Sequence, residues 1–188
     1  VQETSELDSI QFLNGSAAGN FSAVGDDYDD GDGGDGDIRL QGFEFNNAGT
    51  KLFLSWFGEA DNSAKLLEYT LSTPYDITSL QLVTTAGIDM GTGTTANVIN
   101  SAGMRFSANG KRIFIISHSG NSGISQISLT NAFDTSSFVL DGKFDLHNAT
   151  PSNGQARGVA FNSSGLKLYI GNDQNDGDVD EIMEYNLV

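Results

Sequence analysis

Gly42-Phe-Glu-Phe-Asn-Asn-Ala-Gly-Thr-Lys-Leu-Phe-Leu54 decides the fold, because the same frame returns twice without a gap. The copies are Gly103-Met-Arg-Phe-Ser-Ala-Asn-Gly-Lys-Arg-Ile-Phe-Ile115 and Gly158-Val-Ala-Phe-Asn-Ser-Ser-Gly-Leu-Lys-Leu-Tyr-Ile170. Self-similarity of this kind marks a repeat architecture. In each copy an aromatic (Phe45, Phe106, Phe161) precedes a short polar turn closed by Gly49, Gly110 or Gly165. The next strand then carries Lys51, Arg112 or Lys167 ahead of an apolar run. A polar turn with glycine where positive φ is needed, between two apolar strands, predicts a β-hairpin.

A third strand is predicted at Leu66-Leu-Glu-Tyr-Thr-Leu71, Ile124-Ser-Gln-Ile-Ser-Leu129 and Ile182-Met-Glu-Tyr-Asn-Leu187, from partial period-two alternation. A fourth is predicted from Tyr75 to Leu82 and from Phe133 to Leu140, with a degenerate N-terminal copy, Ser5-Glu-Leu-Asp-Ser-Ile-Gln-Phe12. The reading is one all-β domain over 1–188, built of three four-stranded antiparallel blades in repeats of about 5–71, 75–129 and 133–188. A strand from one end of the chain would complete the sheet at the other, hiding an edge that otherwise templates aggregation. Three blades are fewer than a closed ring needs. Two chains forming six blades, a three-sheet prism, or part of a longer ring would each answer this, and the first is the working expectation.

The residues that follow the first hairpin, Tyr69-Thr-Leu-Ser-Thr-Pro-Tyr-Asp76, together with the Phe…Gly-x-Lys frame, carry a resemblance. They resemble β-propeller repeats of secreted marine bacterial proteins and marine phage virion proteins, and more distantly lactonase-like and NHL-type propellers. The resemblance implies a propeller-like fold over nearly the whole chain outside the long loops. It transfers no catalytic residue, since such folds serve structural, binding and enzymatic roles alike.

Composition narrows the function classes. Acidic side chains number 25 against 9 basic, a formal net charge of −16, so the summed field repels nucleic-acid phosphates and anionic lipid. There is no cysteine, which removes disulfides, thiolate metal sites and cysteine nucleophiles. No run of about 18 apolar residues exists to span a bilayer as a helix. The chain opens on Val1, with polar and acidic residues to Asp8, as a processed or truncated chain would. Abundant Gly, Ser, Thr, Asn and Asp suggests an extracellular or virion-surface setting.

Chemistry is expected in the loops. Asp26, Asp27, Asp29, Asp30, Asp32, Asp35 and Asp37 alternate with glycines and Tyr28, and such a segment can curl several hard oxygens around Ca²⁺. Asn172, Gln174, Asp176, Asp178 and Asp180 form a second candidate calcium loop. Against both stands the plain alternative of a solvated acidic loop. Gly31, Gly33 and Gly36 imitate a dinucleotide fingerprint, but it opens no helix and its aspartates repel pyrophosphate. Ser119 to Gly123 reads as a hairpin loop. His118 and His147, the only histidines, exclude a three-histidine zinc site within one chain.

Lys51, Arg112 and Lys167 recur with the repeat, which argues for a structural duty. Asp76 and Asp134 are expected to cap the turn before the outer strand, and Phe53, Phe114 and Tyr169 to fill the space between blades. The functional expectation is a non-enzymatic structural or adhesive module, a homo-oligomer stabilised by Ca²⁺. Two rivals remain. A lactonase-like hydrolase would need several first-strand acids around one ion, and Glu44 is the only acid in those motifs. A carbohydrate-binding propeller would use Trp56 and Tyr28 as stacking surfaces for a glycan or cell-surface ligand.

Overall fold

The hairpin frame folds through its turn. In the computed structural model, which describes residues 38–58, 63–83, 88–89, 101–117, 123–145, 155–173 and 181–187, the three turn glycines take φ of 68°, 68° and 70°. The amide of each donates to the carbonyl three residues back, at Asn46, Ser107 and Asn162. The side chains of Asn46 and Asn162 then accept from the two amides that open the next strand, Thr50 with Lys51 and Leu166 with Lys167. The sequence therefore supplies both the left-handed residue and the acceptor that closes the loop.

Twelve strands follow in chain order among the described residues: β1 (Ile38–Phe45), β2 (Lys51–Gly58), β3 (Ser63–Leu71), β4 (Leu80–Leu82), β5 (Ile88–Asp89), β6 (Ser101–Phe106), β7 (Arg112–Ser117), β8 (Gly123–Leu129), β9 (Phe138–Asp145), β10 (Gln155–Phe161), β11 (Lys167–Asp173) and β12 (Glu181–Asn186). They form three antiparallel sheets. The first runs β1-β2-β3-β4 with β5 also on β3, the second β6-β7-β8-β9, and the third β10-β11-β12. The register repeats: Lys51 opposes Thr70, Arg112 opposes Ser128, and Lys167 opposes Asn186. Each first strand also carries a bulge at the same point, just before Gly42, Gly103 and Gly158.

The expected fourth strands begin later than their sequence pattern. Tyr75 to Ser79 and Phe133 to Ser137 form turns, the first containing a 3-10 turn at Ile77–Ser79, and pairing starts at Leu80 and Phe138. The reason is that Tyr75 and Phe133 take positive φ, 60° and 54°, which no strand accommodates. Asp76 and Asp134 cap these turns, accepting from the amide and hydroxyl of Thr78 and of Ser136. These hydrogen bonds hold both carboxyls below their ordinary range. The N-terminal copy Ser5 to Phe12 lies outside the described residues.

An antiparallel sheet with apolar side chains on both faces must bury both. The sheets accordingly lie face to face in chain order, with β1 beside β6 and β6 beside β10. The seam between the first and second sheets holds Phe53, Leu66, Ile88, Met104, Phe106 and Ile113, with Phe133 and Leu140 packed against them. The next seam holds Ile116, Ile124, Leu168 and Ile170, with the rings of Phe114 and Phe161 in tilted contact, centroids 4.7 Å apart. Full burial of each large apolar side chain stabilises by roughly 1.5–3 kcal/mol. Phe53 and Phe114 thus sit between sheets, as their recurrence predicts. At Gly42 the backbones close in: a Cβ there would meet Gly103 Cα and Met104 N at 3.3 Å.

The turn glycines supply a test of strain against packing. An alanine Cβ at Gly110 would meet the Phe133 ring at 2.2 Å, whereas at Gly165 nothing among the described residues lies within 4 Å. Gly165→Ala should cost about 1 kcal/mol in denaturant unfolding, from the left-handed conformation alone. Gly110→Ala should cost about 2–4 kcal/mol, because overpacking adds to that strain. Equal costs would refute the aromatic seat over Gly110.

Candidate functional site

The residues singled out for ligands fall mostly outside the described structure. Asp26, Asp27, Tyr28, Asp29, Asp30, Asp32, Asp35, Asp37, Gln174, Asp176, Asp178 and Asp180 lie outside the described residues, as do His118 and His147. Asn172 and Trp56 are described in backbone only. Asn172 pairs with Ala156 and Glu181, and Trp56 with Leu40 and Lys65. Among the described residues no group of three or more His, Cys, Asp or Glu is placed to hold a metal ion.

What the described residues build is a polar latch across the first seam. Glu68 sits in the middle of β3 on the face turned to the second sheet and is only 2% exposed. Its Oε1 accepts from Lys51 Nζ at 2.6 Å. Its Oε2 accepts from both the amide and the hydroxyl of Thr135, each at 2.9 Å. Lys51 Nζ donates in turn to the Phe133 carbonyl at 2.7 Å. One buried ion pair in the first sheet therefore grips the Phe133–Thr135 turn of the second. Every oxygen of that carboxylate has a donor, which a buried charge requires.

The aromatic of that turn is seated alongside. The Phe133 amide donates to the Gly110 carbonyl at 2.8 Å, and its ring lies 5.1 Å from Phe106 and 6.4 Å from Phe53. Tyr75 repeats the seat over Gly49. A second cross-seam contact comes from Glu44, which accepts from the Phe106 amide at 2.8 Å and pairs with Arg105 at 3.5 Å. Burial pushes its carboxyl above the ordinary range, against the pull of that amide and of Arg105. The one first-strand acid that a hydrolase reading would recruit is thus engaged in holding two sheets together.

The recurring cations do have a structural duty. Lys167 pairs with Glu184, holding that carboxyl low and itself high. Arg112 faces Asp141, which accepts from Gln126 and Ser128, each at 2.7 Å, and is held low by them. Sequence reading found the cations but missed Glu68 as the partner of Lys51 and Thr135 as the donor to Glu68. The available signal was that Glu68, Gln126 and Glu184 occupy one position of the repeat.

Two cavities open at the second seam. One of about 430 Å³ is bordered by Phe114, Ile124, Leu168 and Tyr185. The other, about 750 Å³, is bordered by Arg112, Phe114, Phe161 and Gly165. Both are largely apolar-walled spaces between sheets rather than clefts with converging acids and bases.

No known protein family matches the sequence, and no curated protein matches it. Among solved structures, the chain is similar to a 6-phosphogluconolactonase-like protein from Bacteroides uniformis ATCC 8492, with a TM-score of 0.44 and 14% identity. That match covers 80% of this chain and 55% of the other, so the chain spans about half that protein's length.

The latch is testable by a double-mutant cycle. Glu68→Leu alone should cost about 3–5 kcal/mol, because Lys51 is left part-buried without its partner. The Lys51→Met/Glu68→Leu double variant should lose less in urea unfolding than the two single losses added together, while the Thr135 amide and hydroxyl stay without an acceptor in both Glu68 variants. Additive losses would refute the coupling.

Proposed function

We propose that this protein is a non-enzymatic structural or adhesive module, exported or virion-associated, whose sheets form a propeller-like array continued by a second copy of the chain. The observation that carries the assembly is an unequal fate of equivalent residues. Ile182 on β12 is 80% exposed, while Leu66, at the same repeat position, is 0% exposed within the first seam. Lys167 and Glu184 stand exposed where Lys51 and Glu68 form the latch.

The complementary half is free at the other end. Phe43 is 62% exposed and Tyr75 58%, whereas their counterparts Met104 and Phe133 pack into the first seam. A second copy offering its first sheet to this third sheet would bury Ile182 and present the Tyr75–Ile77 turn to Lys167 and Glu184. Two such contacts would close six sheets into a ring, the isologous or ring closure that keeps oligomers finite. The absence of a family match leaves the likeness to marine secreted and virion propeller repeats resting on the Phe…Gly-x-Lys and Tyr69–Asp76 residues. The same likeness supports the structural role, and Glu44's engagement between sheets supports it further.

Sedimentation velocity at micromolar concentration should give twice the chain mass. Ile182→Asp and Glu184→Lys should return single chains while leaving the β-sheet circular dichroism intact. Single chains in the unaltered protein would refute the assembly.

The same reading assigns the two acidic segments to Ca²⁺, whose binding would stabilise the folded state by mass action. Millimolar Ca²⁺ should raise the melting temperature above that in chelator, by an amount that grows with ion concentration. An identical melting temperature in both would remove calcium from the proposal.

A further inference from the structure

The larger cavity at the second seam carries charge of the opposite sign to the chain as a whole. The protein has 25 acidic residues against 9 basic. Yet Arg105 and Arg112 both border that space of about 750 Å³, and no carboxylate among the described residues does. The sheet register brings the two arginines to one face. Arg105 on β6 stands directly opposite Phe114 on β7, and Arg112 lies two residues before Phe114 on the same strand. Cross-strand partners and alternate residues share a face of the sheet, and Phe114 turns its face toward the third sheet.

The equivalent positions of the first sheet show what has changed. There Phe53 is opposed in register by Glu44 and Glu68, with Lys51 two residues before it, so the set holds two acids and one base. In the second sheet the same places hold Phe114, Arg105, Gln126 and Arg112, two bases and no acid. Lys51 is met by the Glu68 carboxylate at 2.6 Å. Among the described residues the Arg112 guanidinium makes no ion pair and no hydrogen bond. The carboxylate whose field it shares, Asp141, is engaged by Gln126 and Ser128. Arg105 lies 3.5 Å from Glu44 through Nη1 and donates from Nε to the Val159 carbonyl at 3.4 Å, which leaves further guanidinium donors over.

A guanidinium with its planar fork free is a receptor for a planar anion. The walls beside it are apolar, with Phe114 and Phe161 half-buried and Leu187 beyond them, and a volume of this size is that of a small-molecule site. An inorganic anion would satisfy the charge and leave the rings wet. A plain hydrocarbon would cover the rings and desolvate the arginines without a partner, which is costly. We propose that the cavity binds a small aromatic carboxylate, with the carboxylate held by Arg112 and Arg105 and the ring laid against Phe114 and Phe161. Both walls belong to one chain, so the site stands or falls apart from the assembly proposed above.

Titration of the full chain with naphthoate at physiological salt, followed by amide resonances, tests this. Saturable shifts centred on β7 and on the turn from Asn162 to Leu166 are expected. Naphthylmethanol keeps the ring and lacks the charge, and it should bind at least about tenfold more weakly. Acetate keeps the charge and lacks the ring, and it should not saturate at the same concentrations. Arg112→Gln should weaken naphthoate binding by about tenfold. Lys111→Gln removes the same charge from the exposed turn next to it and should weaken binding by less than about twofold, because that charge is screened by salt. The comparison of naphthoate with its alcohol uses the unaltered protein, so it decides the matter even where a variant unfolds. No saturation by naphthoate, shifts centred elsewhere, equal binding of the alcohol, or equal losses in the two variants would each overturn the inference.

Discussion

Everything in this structure depends on how a three- or four-stranded sheet with two apolar faces disposes of both. A single such sheet can bury only one face against itself or a neighbour, and the repeat solves this by stacking copies so that each face of an inner sheet meets a sibling. The second sheet is the one for which the solution is complete. Its face toward the first sheet carries Met104, Ile113, Ile115 and Ile127, and its opposite face carries Ile116 and Ile124 toward the third, all buried. Apolar contact is non-directional, however, and would allow the sheets to slide. The latch of Lys51, Glu68, Phe133 and Thr135 fixes the offset, because a buried carboxylate with all its donors supplied has one acceptable position.

The three copies of the latch show what happens as its surroundings change. Within the first seam the carboxylate of the pair is buried with a donor on each oxygen, and Lys51 is part-buried beside it. At the second seam the carboxylate is replaced by Gln126, whose amide turns within its own sheet to Asp141. On the third sheet the ion pair returns as Lys167 and Glu184, but in solvent. The chemistry follows the surroundings: a charged acceptor stands where the opposing turn provides donors, and a neutral residue stands where the side chain turns back to its own sheet. A surface pair such as Lys167–Glu184 contributes little by itself in water.

The local part of this architecture was legible in the sequence because it is written in short range. Phe45, Gly49 and Lys51 lie within seven residues, and the turn glycine and the apolar run after it leave few alternatives to a hairpin. The caps at Asp76 and Asp134 were legible for the same reason, each acting two residues away. The latch was not, since Glu68 and Thr135 are 67 residues apart and nothing in either strand alone marks a buried carboxylate. The start of the outer strands was misjudged because Tyr75 and Phe133 look like strand aromatics. Only the seat over a glycine, supplied by a distant hairpin turn, makes a positive φ tolerable at a bulky residue. The ligand loops were legible as composition, and the described residues neither gather them nor separate them.

Charge placement gives the last constraint. Four carboxylates of the strands have named partners: Glu44 has Arg105 and an amide, Glu68 has Lys51 and Thr135, Asp141 has Gln126 and Ser128, and Glu184 has Lys167. The net charge of −16 comes largely from two stretches without a basic residue, 26–37 and 173–181. Concentrating like charge there leaves the sheets free to pack but adds self-repulsion wherever those segments approach one another. Over distances beyond about 8–10 Å that repulsion is screened by physiological salt, and within them it is relieved only by bound cations.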